Sequence, residues 1–200
     1  MSIQQRSVLI PADGIAVEGD LTVPSSPQGI VAFAHGSGSS RFSPRNRFVA
    51  AVLQRAGLAT LLLDLLTPRE ESIDQVTGHL RFNITLLAAR VVSATDWLVN
   101  QQDTRDLAVG YFGASTGAAA ALVAAAERAD LVRAVVSRGG RPDLAGDALT
   151  RVPAPTLLIV GSRDDAVIQL NQAAFQQLRS EKRLEIVPRA THLFEEPGTL

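Results

Sequence analysis

The sequence predicts an α/β fold, a mostly parallel sheet with helices on both faces, on three observations. Short apolar runs alternate with helical segments from residue 30 onward, the pattern of strands buried on both sides. Residues with reactive side chains fall just after those runs, where parallel strands deliver groups to one edge. Gly113-Ala114-Ser115-Thr116-Gly117 stands between an apolar run and an Ala-rich helical run, which is the setting of a sharp strand-to-helix turn.

The elements follow in order. Ser7–Ile10 and Ile15–Val23 read as a hairpin around the turn residues Pro11-Ala12-Asp13-Gly14, closed by Pro24 and the Ser25-Ser26-Pro27 cluster. Strands are then expected at Ile30–Ala34, Ala59–Leu63, Leu107–Phe112, Arg133–Ser137, Thr156–Val160 and Arg183–Val187. Helices are expected at Pro44–Ala56, Phe82–Asn100, Thr116–Ala129 and Ile168–Arg179. Glu70 and Glu71 read as an acidic loop, and Trp97 with Val91, Ala94 and Leu98 as one buried helix face.

No repeat, low-complexity tract or long linker divides the 200 residues, so a single domain over 1–200 is expected. A chain of this length buries about 70% of its unfolded surface and needs no staple. A net charge of -1 offers no basic face for nucleic acid. The lack of cysteine excludes disulfides, thiolate metal sites and cysteine nucleophiles. The apolar stretch before Pro11 is too short for a signal-peptide core, and Ala118–Ala126 is about half a membrane span, so no membrane association and a cytoplasmic location are expected.

A serine hydroxyl becomes a nucleophile only beside a general base, and histidine is the side chain that titrates near neutrality. Of His35, His79 and His192, only His192 follows the last expected strand, as the chain order Ser, Asp, His requires. Asp164, in Gly161-Ser162-Arg163-Asp164-Asp165, is the expected carboxylate partner, with Asp165 the alternative. The oxyanion of an acyl-transfer intermediate needs two backbone N–H groups. Those of Thr116, at a helix start, and Ser37, in the loop His35-Gly36-Ser37-Gly38, are the candidates.

These pieces in this order resemble the α/β-hydrolase superfamily, and His-Gly-Ser-Gly, Gly-Ala-Ser-Thr-Gly, Gly-x-x-Asp and the late Thr-His resemble its dienelactone-hydrolase-like branch. The enzyme that names the branch uses cysteine where this chain has Ser115, so the resemblance implies an esterase with a serine nucleophile. Its substrate would be a small acyl ester, with no cofactor and no metal. Between the fourth and fifth strands of the parallel set only Arg138–Pro155 is available, too short for a substantial cap domain.

Around this centre, His35 reads as a pin for the oxyanion loop, with Gly36 and Gly38 allowing close backbone approach. Asp64, Arg138 and Arg141 are expected near the rim, the arginines as candidates for holding a substrate carboxylate. Two further readings stay open: acyl transfer with the same residues, and a catalytically idle binding module. Relatives joined to a phosphoribosyltransferase-like domain leave a separate protein partner or a homodimer open.

Overall fold

Eight extended segments, the central ones buried on both faces, form one eight-stranded sheet of order β1-β2-β4-β3-β5-β6-β7-β8 in the computed structural model, which describes residues 3–200. Met1 and Ser2, with which the expected leaderless start begins, lie outside the described residues. The strands are β1 (Ile3–Ala12), β2 (Ile15–Pro24), β3 (Ile30–Ala34), β4 (Ala59–Leu63), β5 (Val109–Ala114), β6 (Val132–Arg138), β7 (Thr156–Gly161) and β8 (Lys182–Val187). β2 runs antiparallel to β1 and β4, and every pairing from β4 to β8 is parallel. Asp13 and Gly14, both at positive φ (47° and 79°), close the hairpin in the manner of a two-residue turn that matches strand twist.

The helices are α1 (Pro44–Arg55), α2 (Pro68–Thr77), α3 (Ile84–Leu98), α4 (Thr116–Glu127) and α5 (Asp165–Gln177). Because strand residues alternate in direction, one set (Ala32, Leu61, Tyr111, Leu158) packs with α3, α4 and Ala174 of α5 into the main core. The other set (Phe33, Leu62, Phe112) packs with Ala50 of α1. Tyr111 is fully buried, and its hydroxyl meets Thr95 Oγ1 of α3 at 2.5 Å, so the one polar atom of this ring is satisfied.

One expectation is corrected. The acidic loop at Glu70 and Glu71 is α2: Thr67 and Glu70 form a reciprocal capping box, Pro68 occupies the first turn and Gly78 closes it with φ 68°. Only Asp74 of this helix is buried, so it lacks the apolar stripe that marks the others. Arg138–Pro155 is as short as expected: within it Pro142–Arg151 forms two 3₁₀ turns around Gly146, and Ala145, Ala148 and Leu149 enter the main core. It packs on the body of the protein and builds no cap. The hairpin strands and helix ends differ from expectation by a few residues, as fraying ends do.

The chain leaves β3 toward β4 on one side, and β5 lies on the other side of β3. This is the switch point of the sheet, where loops diverge and leave a crevice beyond the carboxyl ends of the strands. The loop after β3 and the turn after β5 meet there.

Candidate active site

Ser115 has φ 50° and ψ −123°, a conformation that a side chain tolerates only when its surroundings impose it. The surroundings are tight. A Cβ placed on Gly117 would sit 2.2 Å from the Ala34 carbonyl oxygen, so only glycine lets α4 begin this close to β3. Across the crevice, a Cβ on Gly36 would lie 2.8 Å from Ser115 Cβ. The Ser115 carbonyl accepts from Ala118 N–H at 3.1 Å and from Arg141 N–H at 3.0 Å, which fixes the turn from both sides.

His192 and Asp164 converge beside it. His192 Nδ1 donates to Asp164 Oδ2 at 2.6 Å, and the carboxylate is largely buried. That bond assigns the proton to Nδ1 and leaves Nε2 as the acceptor. Asp165 is exposed at the first turn of α5 and makes no such contact among the described residues. The loop carrying His192 is held by Thr191 N–H donating to Glu196 at 3.1 Å, a bond that keeps the Glu196 carboxyl below its usual range. Ser115, His192, Gly36 and Ser37 share the lining of one cavity of about 220 Å³ with Arg45, Asn46 and Arg138.

The backbone N–H groups of Ser37 and Thr116 donate to no other group among the described residues. Thr116 is the first residue of α4, where the intrahelical ladder leaves its N–H free and the helix dipole adds positive potential. The side chains tie the two residues together: Ser37 donates its hydroxyl proton to the Arg81 carbonyl at 3.3 Å. Thr116 Oγ1, 3.0 Å from Ser37 Oγ, is therefore the donor in that pair. Arg81 is in turn anchored by buried Asp74, which accepts from the N–H groups of Leu80 and Arg81 and from Arg81 Nε. Sequence reasoning missed Asp74 and Arg81 because their role depends on α2, which it read as loop.

His35 is buried behind the loop. Its Nδ1 donates to the Gly36 carbonyl at 2.9 Å, and its Nε2 accepts the Leu65 N–H at 3.1 Å. Burial pushes its pKa down, against the opposing pull of the Gly36 carbonyl, Asp64 and Glu71, so it is a neutral fastening between the loops after β3 and β4. Gly38 turns the loop with φ 66° and lines a much smaller cavity on the Thr116 side.

Asp64 and Arg141, expected at the rim, are engaged elsewhere. Asp64 accepts from the Arg41 backbone N–H at 2.7 Å and pairs with the Arg41 guanidinium. The Arg141 guanidinium is held by Asp143 in a bidentate pair at 2.9 and 2.8 Å. Neither side chain lines the cavity of Ser115. Arg138 does, and it is buried. No three His, Asp or Glu side chains among the described residues cluster as metal ligands. None of the described helices is long and apolar enough to cross a membrane.

Comparison with known proteins agrees with this architecture. No protein-family model matches the chain. Over 198 residues it is 60% identical to proteins from two strains of Mycobacterium tuberculosis, which carry the provisional name phosphoribosyl transferase; the match covers 99% of this chain and 44% of theirs. The chain thus spans less than half the length of these curated relatives. Among solved structures, Est1E from Butyrivibrio proteoclasticus superposes with a TM-score of 0.79 at 16% identity, covering 95% of this chain and 91% of that one, a likeness of fold. The crystal structure of a dienelactone hydrolase from Anabaena variabilis superposes with a TM-score of 0.97 at 62% identity, covering all of this chain and 92% of that one. With an eight-stranded sheet, a strained serine turn and that degree of identity over its whole length, the chain belongs to the dienelactone-hydrolase-like branch of the α/β-hydrolases.

Proposed function

We propose that the protein is a serine hydrolase of small carboxylic esters, working through an acyl-enzyme. Ser115 Oγ attacks the ester carbonyl while its proton passes to His192 Nε2. Asp164 holds the tautomer and stabilises the imidazolium, and the N–H groups of Ser37 and Thr116 receive the oxyanion. The tetrahedral intermediate collapses as His192 returns the proton to the departing alcohol. Water, deprotonated by the same nitrogen, then releases the acid and restores Ser115.

One observation carries this reading: His192, bonded to Asp164 at 2.6 Å, borders the same cavity as the strained Ser115 turn. The hydrolase and esterase neighbours support it. We assign hydrolytic chemistry to this stretch and read the transferase name of the mycobacterial relatives as belonging to the part of them that it does not span. The test is incubation with short-chain p-nitrophenyl esters and a fluorophosphonate probe. Turnover and labelling that vanish in Ser115→Ala support the assignment; equal behaviour of the two proteins refutes it.

A further inference from the structure

We propose that α2 works as a polar bracket that sets the oxyanion donor at Ser37, with Asp74 and Arg81 as positioning residues of the reaction. This rests on the hydrolytic reading above and adds to that site two residues that do not line the cavity of Ser115.

An oxyanion donor works only when it is held about 2.7–3.1 Å from the place where the charge develops. The glycines on either side of Ser37 give its backbone wide freedom, so other groups must hold the loop. His35 ties it to the segment after β4, and the Thr116 hydroxyl ties it to α4. The third tie is the Arg81 carbonyl, which accepts the Ser37 hydroxyl at 3.3 Å. Asp74 fixes that carbonyl in turn. A buried carboxylate must spend its oxygens on donors, and here every donor comes from the segment that carries the carbonyl. Leu80 N–H donates to it at 2.7 Å, Arg81 N–H at 3.1 Å and Arg81 Nε at 2.5 Å. Arg81 Nη2 adds a bond to the Asp74 carbonyl at 2.9 Å, so residue 81 is clamped through backbone and side chain together.

Hydrophobic packing does not account for α2. Its Ile73 and Val76 are exposed, and Asp74 is its one buried residue. A second polar tie seats the helix: Glu70, whose Oε2 closes the capping box, accepts from Arg90 at 2.9 Å through Oε1. Arg90 is buried on α3 and donates to the Ala12 carbonyl at 2.9 Å. A line of bonds to charged groups thus runs from the body of the protein through Arg90, Glu70, Asp74 and Arg81, and its last link is the Ser37 hydroxyl. Such bonds are directional where apolar contact is not, which suits an element whose task is placement.

The test reads ester kinetics and amide exchange together. Asp74→Asn keeps the volume but puts a donor where Arg81 and Leu80 need acceptors. On a short-chain p-nitrophenyl ester its kcat should fall about tenfold with KM within about twofold of wild type. In the Ser37→Ala background, which lacks the hydroxyl through which the bracket acts, the same substitution should change kcat less than about twofold. Ser39 N–H, bonded to the Gly36 carbonyl at 3.2 Å, reports the loop directly. Followed by NMR, it should exchange with deuterium at least about threefold faster in Asp74→Asn. Arg81→Ala, at a part-exposed position, should show the same pattern with kcat down about threefold, and it decides if Asp74→Asn fails to fold. Unchanged exchange at Ser39, or an equal loss of kcat with and without the Ser37 hydroxyl, would overturn the proposal. Exchange needs no turnover, so faster exchange in a protein inert toward esters keeps the bracket and refutes the hydrolytic reading alone.

Discussion

His192 Nδ1 meets Asp164 Oδ2 at 2.6 Å although 28 residues and the whole of α5 separate them in the chain. The parallel neighbours β7 and β8 deliver their following loops to one edge of the sheet, and that adjacency makes the contact. Asp164→Asn retains the shape but presents an amide where the imidazole N–H needs an acceptor and the imidazolium needs a charge. It should lower kcat by about 10⁴-fold, measured on a short-chain ester. Asp165→Asn, at an exposed position, should change kcat less than about twofold.

Two glycines of one segment should respond in opposite ways to an added methyl. In Gly117→Ala the new Cβ meets the Ala34 carbonyl at 2.2 Å, and backbone cannot move aside as a flexible side chain would. The cost should be at least about 3 kcal/mol by urea denaturation. At Gly110 of β5 the nearest atom to a new Cβ is 3.5 Å away, so Gly110→Ala should lie within about 1 kcal/mol of wild type.

The Thr116 hydroxyl steadies the loop that carries Ser37, the second of the proposed oxyanion donors, through its 3.0 Å bond to that residue. Thr116→Val retains both N–H groups and removes only the tie. A drop in kcat of about tenfold with KM nearly unchanged is expected, because the misplaced donor acts on the transition state more than on the bound ester. Pre-steady-state acylation rates would show the loss in the first chemical step.

His35 makes stability depend on pH in a defined direction. Its folded pKa lies below the ordinary 6.5, so as pH falls through 6.5 the unfolded chain takes up a proton that the folded protein refuses. The stabilisation is complete above 6.5 and is lost toward the depressed folded value, with a limiting slope of about 1.4 kcal/mol per pH unit. Urea midpoints between pH 7 and 5 should fall more steeply for wild type than for His35→Gln. Asp74, Asp103 and Glu196 do not interfere in that window, since their carboxyl pKa values are lowered and they titrate at more acidic pH.

Much of this arrangement was legible in the residues because it depends on local chemistry. The strands at Ile30–Ala34 and Ala59–Leu63 stand where their apolar runs put them, and Gly113-x-Ser115-x-Gly117 announced its turn by glycine spacing. Helix α2 was hidden by its polarity, although Thr67-Pro68-x-Glu70 with Gly78 is a start and stop signal that periodicity does not register. Side-chain pairings across long separations were out of reach. Nothing in the chain pairs Arg41 with Asp64, or places Asn46 against Arg138, until β3, β4 and β6 are ordered in the sheet. The Arg141–Asp143 pair is different, because two residues of separation already bring that carboxylate within reach of its neighbour.

The abutment of Gly117 on Ala34 means that the Ser115 turn is stationed by main-chain scaffolding rather than by mobile side chains. No melting of a peripheral loop can displace it while β3 and β5 stay zipped. Warming should therefore leave the Ser115 turn formed up to the temperature at which the sheet itself comes apart, so that any earlier loss of probe capture reports the loops of His192 and Ser37.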